Sequence, residues 1–429
     1  MLQALFIKRE GIVSKMSAKK EKKIKVLITD NIHLYPPLQG GPHRIYTLYN
    51  PLPDKFVLNY LGAASHKIKP VKARINELVI PAAKSDKINH FLVYLFGQNK
   101  KWLKGGSSYD LGLRFILKFN RRFKKNMDGL AKESDILIAS HPWFFTFIKK
   151  YKDKILIYDS HNCEYELLKK KMNSFLLGKI MVFWTKMVEK EACKKSNLLI
   201  ACSERDKRQL IKYYGLKGKE IHVISNPVNT QEVKPASQKE KTESKKKLGL
   251  KGKRTVLFVA TNFFANNAAA DFIIDELAKK MPNFTFIFVG DVKTHFERTR
   301  ENLPKNVILY GKVPQEQFLI VLRATDIAIN PVLYGSGICI KTLDYMAAGL
   351  PVVSTPRGIR GIHAQNNKHA VICDWKDFRK KIIILYKNNK LQSKLIDNAR
   401  KLVKKEFDAK IVSRKLAIIL EKAKKENEK

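Results

Sequence analysis

No run of apolar residues in this 429-residue chain approaches the roughly 18–20 needed to cross a bilayer as a helix. The first residues, MLQALFIKREGIVSKMSAKKEKK, hold too short an apolar stretch for a secretory signal peptide, and no small-residue cleavage site follows. Both absences point to a cytoplasmic protein, with residues 1–22 a loose basic extension in which Met16 offers a second start. Cys163, Cys193, Cys202, Cys339 and Cys373 have no paired spacing. They make neither a zinc pattern nor a disulfide framework and read as buried free thiols. There is no G-x-G-x-x-G fingerprint and no G-x-x-x-x-G-K-[ST] loop, which argues against a dinucleotide oxidoreductase and a P-loop NTPase. No Asp-x-Asp pair follows a strand and no His/Asp/Glu cluster has metal-ligand spacing, so no metal is expected.

Acidic residues are also few: 39 against 83 lysines and arginines, a net charge of +44. Such a balance suits nucleic acid, an anionic membrane surface or an anionic substrate. The lysines are scattered through both halves without an aromatic-and-arginine strip, so nucleic acid is the least favoured of the three. Apolar residues make up 45% of the chain, enough for each half to bury a core.

In chain order, short apolar strands alternate with helical patterns. Ile24–Thr29 is a strand, followed by a Gly40-Gly41 turn and a helix with Pro42 at its first position. Phe56–Tyr60 is the second strand; residues 62–130 mix short apolar runs with the basic stretch RFILKFNRRFKKNMDG, which suits an exposed helix with a partly apolar face. Asp135–Ala139 and Lys154–Tyr158 are strands that deliver His141 and His161 just past their carboxyl ends, where open α/β sheets place ligands. One such histidine is usually structural; two in equivalent positions point to function. A helix over Met181–Lys195 carries Trp184, Met187, Val188 and Ala192 at core-like spacing. Leu198–Ala201 is a strand, and Ser203 caps the helix after it. Residues 229–252 are polar and lysine-rich, a linker with a short helix. A second strand–helix series then runs through Thr255–Ala260, Phe284–Gly290, Val307–Tyr310, Ile327–Asn330, Val352–Ser354 and Ala370–Cys373. Three basic amphipathic helices close the chain.

The stretch NPVLYGSGICIKTLDYMAAGLPVVSTPRGIRG, from Asn330 to Gly361, carries the most chemistry. A strand end and a glycine turn lead into a helix from about Ile338 to Ala348, which Gly349 and Pro351 stop. That places a helix N-terminus at the carboxyl edge of a parallel sheet, a phosphate site. Lys341 and Asp344 share one helix face, suited to a phosphate and to ribose hydroxyls.

GSGICIKTLDYMAAGLPVVSTPRGIRG resembles the donor-binding signature of the family 4 retaining glycosyltransferases, of GT-B architecture. The resemblance extends to FVATNFFANNAAADF, FIFVGD, NVILYGKVP and ATDIAINP, and in the first half to YPPLQGGPHR, YDSHNCEYE, CSERD and VISNPV. It implies two Rossmann-like α/β/α domains facing across a cleft: an acceptor domain at 23–228, a linker at 229–252, a donor domain at 253–405, and a terminal helix at 406–429 crossing back. It implies a UDP- or GDP-linked sugar donor, a glycan or lipid-linked acceptor, and a cytoplasmic enzyme, peripheral at the membrane. Ser336, Gly337 and Ile338 would offer backbone N–H groups to phosphate, Lys341 would neutralise it, and Asp344 would take the ribose hydroxyls. Asn267 belongs to the same donor pocket, Gly40 and Gly41 would approach the diphosphate from the other domain, and His141, with His161 beside it, would act at the transferred sugar.

The chain departs from that pattern at Ser336, where a glutamate is expected, and at Cys339 and Arg360, where relatives often carry arginine and glutamate. The loop Thr261–Asn267 lacks the common Arg and Lys. These departures suggest an alternative: a weakly active or inactive GT-B scaffold that binds a sugar nucleotide or a protein partner.

Overall fold

The computed structural model describes residues 23–31, 33–34, 40–64, 74–81, 117–172, 176–335 and 337–428. They form two parallel sheets in series. The first has seven strands, β1 (Ile24–Asp30), β2 (Phe56–Ala64), β3 (Asn76–Pro81), β4 (Ile136–Ala139), β5 (Ile155–Ser160), β6 (Leu198–Ala201) and β7 (Ile221–Val223), in the order β3-β2-β1-β4-β5-β6-β7. The second has six, β8 (Arg254–Val259), β9 (Phe284–Val289), β10 (Val307–Gly311), β11 (Ile327–Asn330), β12 (Val352–Ser354) and β13 (Val371–Ile372), in the order β10-β9-β8-β11-β12-β13. Strands such as ILIA and IAIN are buried along their whole length, as expected when helices cover both faces of a parallel sheet.

In each sheet the strand order reverses once, between β1 and β4 and between β8 and β11. Neighbouring connections leave on opposite faces there, which opens a crevice at the carboxyl ends. The helices over the first sheet are α1 (Gly40–Tyr49), α2 (Arg121–Glu133), α3 (Pro142–Ile148), α4 (Glu164–Met172), α5 (Leu176–Lys195) and α6 (Glu204–Tyr214). Those of the second half are α7 (Gln238–Lys247), α8 (Phe264–Phe272), α9 (Lys293–Thr299), α10 (Gln315–Ala324), α11 (Ile340–Ala347), α12 (Phe378–Lys387) and α13 (Asn389–Glu406). The last helix, α14 (Ala409–Asn427), returns to the first sheet. Its Val412, Leu416, Ala417 and Leu420 enter the core formed by Val26, Ile28, Ile136 and Ile155. Lys55–Glu421 and Lys424–Asp135, both 2.9 Å, flank that contact. The two chain crossings lie side by side, where Val228 N–H donates to Phe407 O (2.8 Å) and Ala409 N–H to Val228 O (3.0 Å).

Several expectations change. The helix after β1 begins at Gly40, so Gly40 and Gly41 are its first turn and not a preceding loop. Proline fits there because the first-turn N–H groups have no helical partner. The signature helix begins at Ile340, two residues later than expected, with Cys339 as its N-cap. β3 lies where no period was readable; α2 overlaps the basic stretch expected to be a helix, and its apolar face buries Phe123, Met127 and Ala131. The short helix expected within 229–252 is present at residues 238–247, held by a Ser237–Glu240 capping box, and Lys241 and Lys245 bind Asp326 at 2.8 and 2.7 Å. On α5, Val188 and Ala192 are core, but Trp184 (43% exposed) and Met187 (48%) are not. With Ile180 and Phe183 they form a second apolar stripe that faces outward. Among the described residues no helix is long and apolar enough to cross a membrane. All five cysteines are free, four of them buried.

Candidate active site

The first switch point gathers Asp30, His141 and His161 from the ends of three strands. Asp30 ends β1 and is fully buried; its Oδ1 lies 2.7 Å from His141 Nδ1. His141 is the N-cap of α3, set by extended backbone and by Pro142. The Asp30 carboxylate thus fixes the orientation of the His141 ring through Nδ1. His161 packs edge-on against His141, centroids 4.9 Å apart. Burial, then the charges of His141 and Arg44, push its pKa well below the ordinary histidine value, so it is neutral. Behind it lies a buried ion pair: Arg44 Nη2 donates to Asp159 Oδ1 at 2.7 Å, and Nη1 donates to Asn226 Oδ1 at 2.8 Å and Ile224 O at 2.9 Å. Tyr49 Oη donates to the other Asp159 oxygen at 3.0 Å. This network fixes α1 against β5, and a Cβ on Gly41 would stand 3.8 Å from His161 Nδ1 and 3.9 Å from His141 Cε1.

Donor atoms of Asp30, His141 and His161 all lie within 4.8 Å of one another. Two imidazoles and a carboxylate are ligands for a zinc-like ion. These residues therefore could hold a metal, although they are far apart in sequence and their spacing showed no such cluster.

The second switch point supplies the opposite wall. Lys341, on the first turn of α11, lies 4.3 Å over the Phe258 ring and donates to Asn266 Oδ1 at 2.9 Å. Burial lowers its pKa to about 7; Cys339 opposes the shift and Arg360 adds to it. Burial raises the Asp344 carboxyl to about 8, with a contribution from Glu232. Between the walls is a cavity of about 510 Å³ lined by Gly40, His43, Asn162, Asn266, Lys341 and Asp344, among others. The walls nearly touch at one end. A Cβ on Gly337 would stand 3.2 Å from Asn162 Oδ1, and its φ of +64° is a conformation that glycine adopts without strain.

The structure thus places Gly40, Ile338, Lys341 and Asp344 on the cavity, Gly337 against Asn162 at its edge, and Gly41 beside the two histidines. Ser336 lies outside the described residues. Asn267 is turned away: its amide donates to Asn262 Oδ1 at 2.9 Å, while its neighbour Asn266 faces the cavity. One residue on a helix is a rotation of about 100°, which a loop-level match cannot resolve. Sequence reasoning also missed Asp30, Arg44 and Asp159. A buried arginine two residues after Pro42 carried no local signal; the only hint was an Asp ending each of β1 and the β5 run.

Residues 84–232 match the family model described as Glycosyltransferase Family 4, and residues 253–388 match Glycosyl transferases group 1. An uncharacterized glycosyltransferase of Methanocaldococcus jannaschii is 24% identical over 316 residues, 68% of this chain and 76% of its own length. The alpha-galactosylglucosyldiacylglycerol synthase of Streptococcus pneumoniae is 23% identical over 201 residues, 45% of this chain and 52% of its own. Among solved structures, Anabaena HepE in complex with UDP and glucose superposes with a TM-score of 0.68 at 16% identity, covering 93% of this chain and all of that one. Sucrose-phosphate synthase from Thermosynechococcus elongatus gives 0.72 at 12% identity, covering 93% and 99%. With two parallel sheets facing across one cleft and a family match in each half, the chain belongs to the glycosyltransferases of GT-B architecture, family 4 in its first half and group 1 in its second.

Proposed function

We propose that the protein transfers a sugar from a UDP- or GDP-linked donor to a hydroxyl of a glycan or lipid-linked acceptor, with retention of anomeric configuration. One observation carries the proposal: residues of both halves line a single cavity, Gly40, His43 and Asn162 from the first and Lys341 and Asp344 from the second, with the Asp30–His141 pair off the cavity lining, next to Gly41. The donor's diphosphate lies against the first turn of α11, where Lys341 and the helix N–H groups meet the charge that develops as the leaving group departs. Preorganised donors of this kind lower the barrier by about 3–4 kcal/mol each. Asp344 accepts the ribose hydroxyls. His141, held by Asp30, orients the transferred sugar, with His161 packed behind it. This chemistry needs no metal, so activity should survive chelation with EDTA. Retention rests on the resemblance to family 4. Proton NMR of the first-formed product tests it: the donor's anomeric configuration is expected, and the opposite one overturns the assignment.

A lipid-linked acceptor fits two features. The outward stripe Ile180, Phe183, Trp184 and Met187 on α5 is interleaved with Lys179, Lys186 and Lys190, the composition of a helix that settles into an anionic interface. One relative, moreover, is named a diacylglycerol glycolipid synthase. Cosedimentation with vesicles containing phosphatidylglycerol should be strong at low salt and weakened by Phe183→Ser; equal binding by that variant would remove the stripe from the docking surface. Binding of sugar nucleotide without turnover would instead support the scaffold alternative.

A further inference from the structure

We infer that Arg360 is the second cation of the donor's diphosphate site, paired with Lys341. This rests on the nucleotide-sugar reading above and adds to it a residue from outside the signature helix.

The loop after β12 returns to the cavity and is fixed there from two sides. Asn330 Nδ2 and Thr342 Oγ1 donate to Gly358 O at 2.9 and 2.8 Å, tying the loop to β11 and α11. Gly358 N–H donates to Thr355 Oγ1 at 3.0 Å. Two residues on, Arg360 Nη1 donates to Cys339 Sγ at 2.9 Å and to Arg357 O at 3.0 Å. Cys339 is the N-cap of α11. The guanidinium is therefore delivered to the positive end of that helix, on the cavity wall it shares with Lys341. Room for it depends on Gly335: a Cβ there would stand 2.7 Å from Arg360 Nη2 and 3.0 Å from Cζ.

Three positive features thus converge: the helix end, Lys341 and Arg360. Arg360 lies close enough to contribute to the lowered affinity of Lys341 for its proton. An anion placed between them relieves all three. A diphosphate diester carries two negative charges, matching the two side chains, and a guanidinium can present two N–H groups to phosphate oxygens. The loop Thr261–Asn267, whose Asn266 accepts from Lys341, contains no Lys or Arg. Lys312, also on the cavity, lies 3.4 Å from Asp291.

The test is calorimetry of UDP-glucose, GDP-mannose and the bare nucleosides with wild type and variants. Arg360→Ala should weaken binding of the nucleotide sugar by about tenfold or more and leave the nucleoside unchanged. Arg360→Lys should retain part of the affinity. Arg360→Gln should flatten its salt dependence. The transposed variant Cys339→Arg/Arg360→Cys, which keeps one guanidinium at the same contact, should recover affinity relative to Arg360→Ala. Equal losses for nucleotide sugar and nucleoside would show a merely structural role and overturn the inference, as would unchanged affinity in both Arg360→Ala and Arg360→Gln. If the wild type binds no nucleotide sugar at all, the proposed function itself fails and the inference with it.

Discussion

Lys341 and Asp344 give the donor pocket an unusual pH response. Burial brings the Lys341 pKa down to about 7 and the Asp344 pKa up to about 8. A donor whose diphosphate requires a charged lysine and whose ribose requires a carboxylate binds only the state with both charges, which is a minority state at every pH. Below pH 7 the lysine is charged but Asp344 is protonated, so binding releases a proton and strengthens as pH rises. Above pH 8 Asp344 is ionised but the lysine is neutral, so binding takes up a proton and weakens as pH rises. Treating the two as independent, affinity peaks at about pH 7.5 and falls about sixfold by about pH 6 and about pH 9. Removing one partner exposes the other. Asp344→Asn should give affinity that only falls, by ~90-fold across that range, and Lys341→Met affinity that only rises by a similar factor. Calorimetry with UDP-glucose is the suitable assay, because its diesterified diphosphate keeps a constant charge; buffers of different ionisation enthalpy count the protons directly. A flat profile in wild type, or bells that persist in both variants, would refute the pairing of these two groups with the donor.

Two further predictions concern the frame around the pocket. Glu189 is fully buried and accepts from the hydroxyls of Tyr158 and Tyr214 and from the N–H groups of Glu164 (2.8 Å) and Tyr165 (2.9 Å), anchoring the start of α4 just after His161. Glu189→Ala strands several of these donors at about 1–3 kcal/mol each, so chemical denaturation should show a loss of at least ~3 kcal/mol; a loss under ~1 kcal/mol would mean water replaces the carboxylate. Leu416 on α14 is fully buried in the core of the first sheet, so Leu416→Ala should cost about 2–5 kcal/mol by the same measurement. A negligible effect would mean that α14 does not brace that sheet.

How much was legible in the sequence depended on how local the signal was. β6 and β11 were bounded correctly because each is a short apolar run ended by a polar cap or turn. The Ser203 cap was read correctly for the same reason: its hydroxyl accepts from Asp206 N–H three residues on. The signature helix stops at Gly349 as expected, with φ +70°. The Asp30–His141 contact spans 111 residues and exists only because β1 and β4 are neighbours, which no local pattern announces. The Arg44–Asp159 pair is hidden in the same way. On α5 the failure had another cause. Helical spacing of Trp184, Met187, Val188 and Ala192 shows apolar faces but not which of them meets the core. Of these four, Trp184 and Met187 turn outward while Val188 and Ala192 turn inward.

The central claim is that Lys341 stabilises the departing diphosphate of a nucleotide sugar, and release of UDP or GDP from a panel of nucleotide sugars, with and without candidate glycan and lipid acceptors, tests it most directly. At least one donor should be turned over by the wild type, and Lys341→Ala should slow that turnover by about 100-fold or more. Turnover of a donor that Lys341→Ala leaves intact, or no turnover of any donor by the wild type, would contradict it.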